Sequence, residues 1–234
     1  MTDPQQQPAL RRIPKMLEVI VLRWFLRELR QVRLHGPFRE RCVLAFFVLI
    51  NSFVTIVILA CVAMVSHTPF VFPSLGPTAF LFFFTPTAPV ASPRHALLGH
   101  AIGIMCGYGS LWLLGLTHSG SAMEEGVTGA RMVAVALSLA TTGAFMILVR
   151  AVHAPAGATT LIISLGLITE PFHLLVIEIA VALLCVQAIC VNRLAGLNYP
   201  FWAGRVDSAM EELRGGRKLE EREETVTPQQ SQQS

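Results

Sequence analysis

Residues 42–65 read CVLAFFVLINSFVTIVILACVAMV, 24 residues without a charge. About 20 apolar residues carry a helix across the hydrocarbon core of a bilayer, so this run makes the chain a membrane protein. The sequence on its C-terminal side says the same. From Cys42 to Asn192 the charged residues are Arg94, Glu124, Glu125, Arg131, Arg150, Glu170 and Glu178. The whole chain of 234 residues is 53% hydrophobic and 14% charged, where a soluble domain carries about 25% charge. Its mean hydropathy is +0.57. A surface so poor in charge suits lipid and excludes a soluble enzyme. The expected fold is all-α, a polytopic membrane helix bundle.

Five more apolar segments follow the first. They are a Pro-punctuated stretch from Pro69 to Pro93, then His95–Thr117, Arg131–Arg150, His153–Thr169 and Pro171–Asn192. Cytoplasmic loops are enriched in Lys and Arg, and that rule orders the segments. With six crossings and the N-terminus inside, Arg94, Arg150 and Arg193 all fall inside and the Glu124-Glu125 loop falls outside. If the two Gly/Pro-rich segments instead dip in and return, four full spans remain and Arg94 and Arg150 fall outside. The charges favour six, with four spans plus two broken or re-entrant helices as the fallback.

An internal repeat agrees with that count. Gly76-Pro77-Thr78-Ala79-Phe80-Leu81 aligns with Gly157-Ala158-Thr159-Thr160-Leu161-Ile162, and Pro93-Arg94-His95 aligns with Pro171-Phe172-His173. Each half reads as span, broken helix, span. Three crossings per half would place the halves in inverted 3+3 topology, a common transporter plan.

The ends differ in kind from this transmembrane domain of residues 42–192. Residues 1–41 hold nine of the 18 Lys and Arg and are expected to be a cytoplasmic basic tail. Within it, residues 16–34 pattern as an amphipathic interfacial helix, with Leu17, Ile20, Val21, Trp24 and Phe25 opposed by Arg23, Arg27, Arg30 and Arg33. Residues 193–234 read as a charged, partly disordered cytoplasmic tail ending in Gln and Ser. The basic end suits an anionic lipid leaflet, and nucleic acid is not expected because no reading module accompanies the charge. The five cysteines sit in apolar stretches without CxxC spacing, so neither disulfides nor zinc are expected. The expected location is the plasma membrane, multi-pass, with both termini cytoplasmic.

His153-Ala154-Pro155-Ala156-Gly157-Ala158-Thr159-Thr160 resembles the signature of the HPP family of integral membrane proteins, which is named for a His-Pro-Pro motif. The resemblance extends to Ser74-Leu75-Gly76-Pro77-Thr78, to Pro93-Arg94-His95 with Gly99-His100, and to Asn198-Tyr199-Pro200. Ala154 departs from the pattern, standing where the first proline is usual. The resemblance implies a transporter, usually described with four transmembrane helices, and nitrite as the substrate of plant and cyanobacterial relatives.

The residues themselves suggest where a substrate would sit. Irregular backbone survives in hydrocarbon only inside the protein or along a cavity, so the two broken helices mark a candidate site. A helix N-terminus carries about half a positive charge and unsatisfied N–H groups. Ser74 is placed to cap the first broken helix; Pro155 suits the first turn of the second, and Gly76 and Gly157 would allow close backbone approach. With Thr78, Thr159, Thr160, His100 and His153, these residues form the candidate site for a small inorganic anion. Threonine and glycine are equally used for close packing between helices, and a lone histidine is often a packing residue. Arg94 is either a topology anchor or an anion funnel. Glu178, deep in an apolar helix, is a candidate for charge pairing or proton coupling. No catalytic residue, metal or cofactor is expected, for neither HExxH, GxSxG nor a Cys/His cluster occurs. A membrane scaffold recruiting a partner through residues 16–34 is the alternative function. A homo-oligomer is left open.

Overall fold

The computed structural model describes residues 38–203, and the tails with the amphipathic segment 16–34 lie outside them. Seven helices make up the described part: α1 Phe38–Ser66, α2 Leu75–Phe84, α3 Pro93–Leu113, α4 Ala122–Glu125, α5 Gly129–Leu148, α6 Ala156–Ser164 and α7 Pro171–Leu194, with a 3-10 turn at Pro89–Ala91. Four of them, α1, α3, α5 and α7, are long and apolar enough to cross a membrane. Their outer faces carry Phe53, Met64, Phe145, Phe172, Leu175 and Val186, all exposed. Such faces are costly in water and cost nothing in lipid. The chain is a multi-pass membrane protein.

The expected broken helices are α2 and α6. They have 10 and 9 residues, about 15 and 13.5 Å at 1.5 Å per residue, half of the roughly 30 Å hydrocarbon core. The span expected over His153–Thr169 is helical only from Ala156 to Ser164. Pro155 precedes that helix, and Gly166 follows it with φ of +78°, a left-handed turn that ends a helix. Pro73 and Pro86 bracket α2 in the same way, because the residue before a proline is pushed out of the helical region. Pro93 and Pro171 each open a long helix at its first position, where the missing N–H costs nothing.

Cross-contacts give each helix a direction. The start of α3 meets the end of α5, where Arg94 Nη1 donates to Arg150 O at 2.7 Å and Nη2 to Val149 O at 2.9 Å. It also meets the segment after α7: Arg94 N donates to Trp202 O at 2.9 Å, and the Tyr199 hydroxyl donates to Ala91 O at 2.7 Å. These contacts define a near face. At the far face, Arg131 in the first turn of α5 donates to Gly120 O at 2.7 Å and to Ser164 O at 3.3 Å, and Ala122 N donates to Leu165 O at 2.8 Å. α6 therefore points its C-terminal end at the far face. α2 points its end at the near face, where Asn192 Nδ2 in the last turn of α7 donates to Phe82 O at 2.9 Å. The two short helices run toward opposite faces, starting from the middle of the bundle.

The core between them is built of Leu75, Phe82, Phe83, Ile163, Ile177, Leu184 and Tyr199, all fully buried or nearly so. α6 lies against α3 along Gly99, Gly103 and Gly107. A Cβ on Gly99 would stand 2.7 Å from His153 Cβ. One on Gly103 would stand 2.8 Å from Ala156 O, and one on Gly107 3.0 Å from Ile163 Cβ and Thr160 O. The four-residue spacing puts all three on one side of α3, so the backbones of α3 and α6 touch. Close backbone approach is what holds helices together where the hydrophobic effect is absent.

Candidate functional site

Four side chains meet where α2 and α6 begin. Thr78 is the fourth residue of α2, and Thr159 the fourth of α6. His100 lies two turns into α3, and His153 lies in the segment just before α6. All four are fully buried. His100 stands between the two threonines, with Nε2 3.0 Å from Thr78 Oγ1 and Nδ1 2.7 Å from Thr159 Oγ1. His153 Nε2 is 3.2 Å from the same Thr78 Oγ1. Its Nδ1 donates to Val90 O at 2.9 Å, the carbonyl being able only to accept. Thr78 Oγ1 is also 3.0 Å from Ser74 O, one turn back on its own helix. The two imidazoles lie 5.3 Å apart between centroids, and the Phe82 ring closes the cluster 6.4 Å from that of His153.

The surroundings fix these positions. The Gly99 side of α3 lets the His153 segment press against it. Val90 is held from the other direction, because the next carbonyl, that of Ala91, accepts from Tyr199. Burial, with the neighbouring Cys185 as a lesser cause, pushes the Tyr199 phenol above its ordinary value, so it remains a donor.

Four of the expected site residues thus converge and the others do not. Thr160 turns to α5, where its Oγ1 is 3.0 Å from Thr142 Oγ1. Ser74 holds the cap position of α2 with helical angles, φ −70° and ψ −20°, and makes no cap bond; its Oγ is buried and unpartnered. The expected capping role fails, since a side-chain cap needs the extended backbone that Ser74 lacks. Pro155 takes the cap position of α6, one place before the expected first turn. The expected open N–H groups are already engaged there: Ala156, Gly157 and Ala158 each donate three residues back. Gly76 and Gly157 are not the close-approach glycines. No atom outside the local helix backbone lies within 4 Å of a Cβ built on Gly76, and Leu139 Cδ1 at 3.5 Å is the nearest for Gly157.

Arg94 is tied to the last carbonyls of α5 at the near face, away from the cluster, where its charge offsets the negative end of that helix. Its neighbour His95 donates from Nε2 to Arg150 O at 3.0 Å. Glu178 on α7 makes no hydrogen bond to either histidine, and its Oε2 is buried without a partner. Arg131, read from the sequence as a span boundary, is buried to 2% exposure and serves α6 as Arg94 serves α5.

The HPP transmembrane-region model matches residues 37–200. The chain belongs to the HPP family. This HPP domain covers all seven helices and the cluster. A curated protein of Dictyostelium discoideum, described as a transmembrane protein, is 32% identical over 117 residues, which is 48% of this chain and 34% of that one. The HPP chain thus matches about a third of that relative's length. No solved structure matches it.

Proposed function

We propose that this HPP protein moves a small monovalent anion, with nitrite as the first candidate, across the plasma membrane, and that it is a transporter rather than an enzyme. One observation carries the reading. Thr78 and Thr159, which align in the internal repeat, approach the two nitrogens of one histidine, His100. Two repeats inverted about the membrane plane would do this: broken helices starting at mid-depth, running apart, and sharing one residue at the pseudo-axis. In that reading the segments around α2 and α6 complete two further crossings, giving six, with both termini cytoplasmic.

The positive ends of α2 and α6 face the cluster together, so negative charge is favoured there without a buried lysine. With the first N–H groups of α6 engaged, the donors to an anion would be the imidazole N–H groups and the threonine hydroxyls, released from one another when the cluster opens. A small monovalent anion is the fitting cargo because its dehydration is the least costly among oxyanions. The closed cluster corresponds to an occluded state of an alternating-access cycle. A homo-oligomer fits the same reading, with the exposed apolar face of α1 as the surface that would pair.

The test is nitrite flux into proteoliposomes of purified protein, with chloride and nitrate as competitors. Wild-type flux well above that of empty liposomes is expected, with His100→Ala and Thr159→Val both losing at least about tenfold. No flux of any small anion, with residues 16–34 sufficient to capture a soluble partner, would favour the scaffold instead.

A further inference from the structure

We propose that Thr78, His100, His153 and Thr159 form a binding site for one proton, taken up on His153 Nε2 and held by rotation of the Thr78 hydroxyl toward Ser74 O. In the neutral cluster the hydrogens number one fewer than the contacts. Five short contacts link the group: Thr159 to His100, His100 to Thr78, Thr78 to His153, His153 to Val90 O and Thr78 to Ser74 O. The Val90 carbonyl fixes the sense of the chain, because His153 must carry its proton on Nδ1. In a neutral ring Nε2 is then a bare acceptor. The Thr78 hydroxyl has one hydrogen for two acceptors, this nitrogen and Ser74 O. In the neutral state it serves Nε2, because the carbonyl of a cap residue already accepts the first bond of its helix. Thr78 Oγ1 in turn accepts from His100 Nε2–H, which leaves His100 Nδ1 to accept from Thr159. Four hydrogens thus serve five contacts, and with this placement the one left over is that between Thr78 Oγ1 and Ser74 O.

One added proton completes the set. With His153 protonated on both nitrogens, both imidazoles donate to Thr78 Oγ1, whose two lone pairs are filled. The hydroxyl hydrogen, released, turns to Ser74 O. All five contacts are then hydrogen bonds. The proton comes from water on one side of the membrane and returns to water on the other, and no bond between heavy atoms changes. The charged groups around the site leave room for this. α2 and α6 present no ionisable side chain. α3 brings Arg94 and His95, both bonded to the Arg150 carbonyl, and the α7 side brings Glu178, Cys185 and the Tyr199 phenol. Arg131 of α5 lies at the far face. Under the transport reading, on which this role rests, the proton is the co-substrate of the anion and cancels its charge during the crossing.

The binding itself is read without any transport assay. Protein labelled with ¹⁵N-histidine in nanodiscs, assigned with variants at the other histidines, reports which ring nitrogen bears hydrogen. At about pH 8 the two rings should be opposite tautomers, His153 with Nδ1–H and His100 with Nε2–H. As the pH is lowered, His153 should gain a second N–H while His100 keeps its tautomer. Equal tautomers, uptake on His100 first, or no uptake before unfolding would each overturn the proposal. Thr78→Ser should preserve the behaviour; Thr78→Val should move the midpoint down by about one pH unit or more, and an unchanged midpoint would refute the hydroxyl's role. A protein that takes up the proton as described yet moves no anion would remove the transport reading and leave the proton site standing.

Discussion

Gly103→Ala adds one methyl group at the tightest backbone contact between α3 and α6. The new Cβ would lie 2.8 Å from Ala156 O and 2.9 Å from Thr160 Oγ1, whereas non-bonded carbon contacts are comfortable at about 3.5–4.0 Å. The carbonyl belongs to helix backbone and cannot rotate aside, so the helices must part by about 0.7 Å or more. Overpacking of this kind costs about 1–3 kcal/mol, and the better helix propensity of alanine returns up to about 1 kcal/mol. The net loss, about 1–2 kcal/mol at the middle of those ranges, lowers the folded-to-unfolded ratio roughly 5- to 30-fold. The 2.7 Å bond between His100 and Thr159 spans the same two helices, so anion flux should fall with it. Reversible unfolding in mixed detergent micelles measures the first effect. Gly76→Ala is the control: it meets open space and should match or exceed wild-type stability. If Gly103→Ala unfolds at the wild-type midpoint, or Gly76→Ala falls as far, the contact between α3 and α6 has been misjudged.

Arg131→Met removes two charge-assisted bonds to Gly120 O and Ser164 O, and the same unfolding assay should show a loss of about 2–3 kcal/mol, with Arg131→Lys recovering part of it. Single cysteines at Met123 and Asn198, in a background without the native five, should react with impermeant maleimide from opposite sides of the membrane; labelling from one side would refute the six-crossing path. Glu178→Gln should leave the pH dependence of flux intact if the threonine–histidine cluster carries the proton, and loss of that dependence would move the coupling to α7.

Much of this architecture was legible in the sequence. Charge-poor apolar runs gave the long helices, because lipid imposes a length and a polarity that composition reports directly. The repeat pointed to Thr78 and Thr159 together, since a backbone break needs Gly and Pro at matched places. What stayed hidden depends on rotation about helix axes. The glycines that make contact are those of α3, although Gly99, Gly103 and Gly107 stand at the spacing that signals it. Gly76 and Gly157 looked similar in sequence, but Gly76 faces open space and Gly157 meets only the end of the Leu139 side chain, at an ordinary contact distance. Arg131 read as a boundary because its partners are carbonyls, and carbonyls carry no residue identity. The same holds for Val90, whose part in the cluster is played by its backbone.

The clasp between Tyr199 and Ala91, with Arg94 N–H on Trp202 O beside it, has a consequence for how the protein is made. The carbonyl that orients His153 is set by a residue emerging from the ribosome more than forty residues after that histidine. Until then an inserted chain carries Thr78, His100 and His153 in the bilayer without their final geometry. Release of α7 with the segment after it is therefore the event that closes the polar centre, and a chain stopped before Tyr199 would lack the clasp on Ala91 O. Maturation of the site waits on the segment after α7, however early its first residues are inserted.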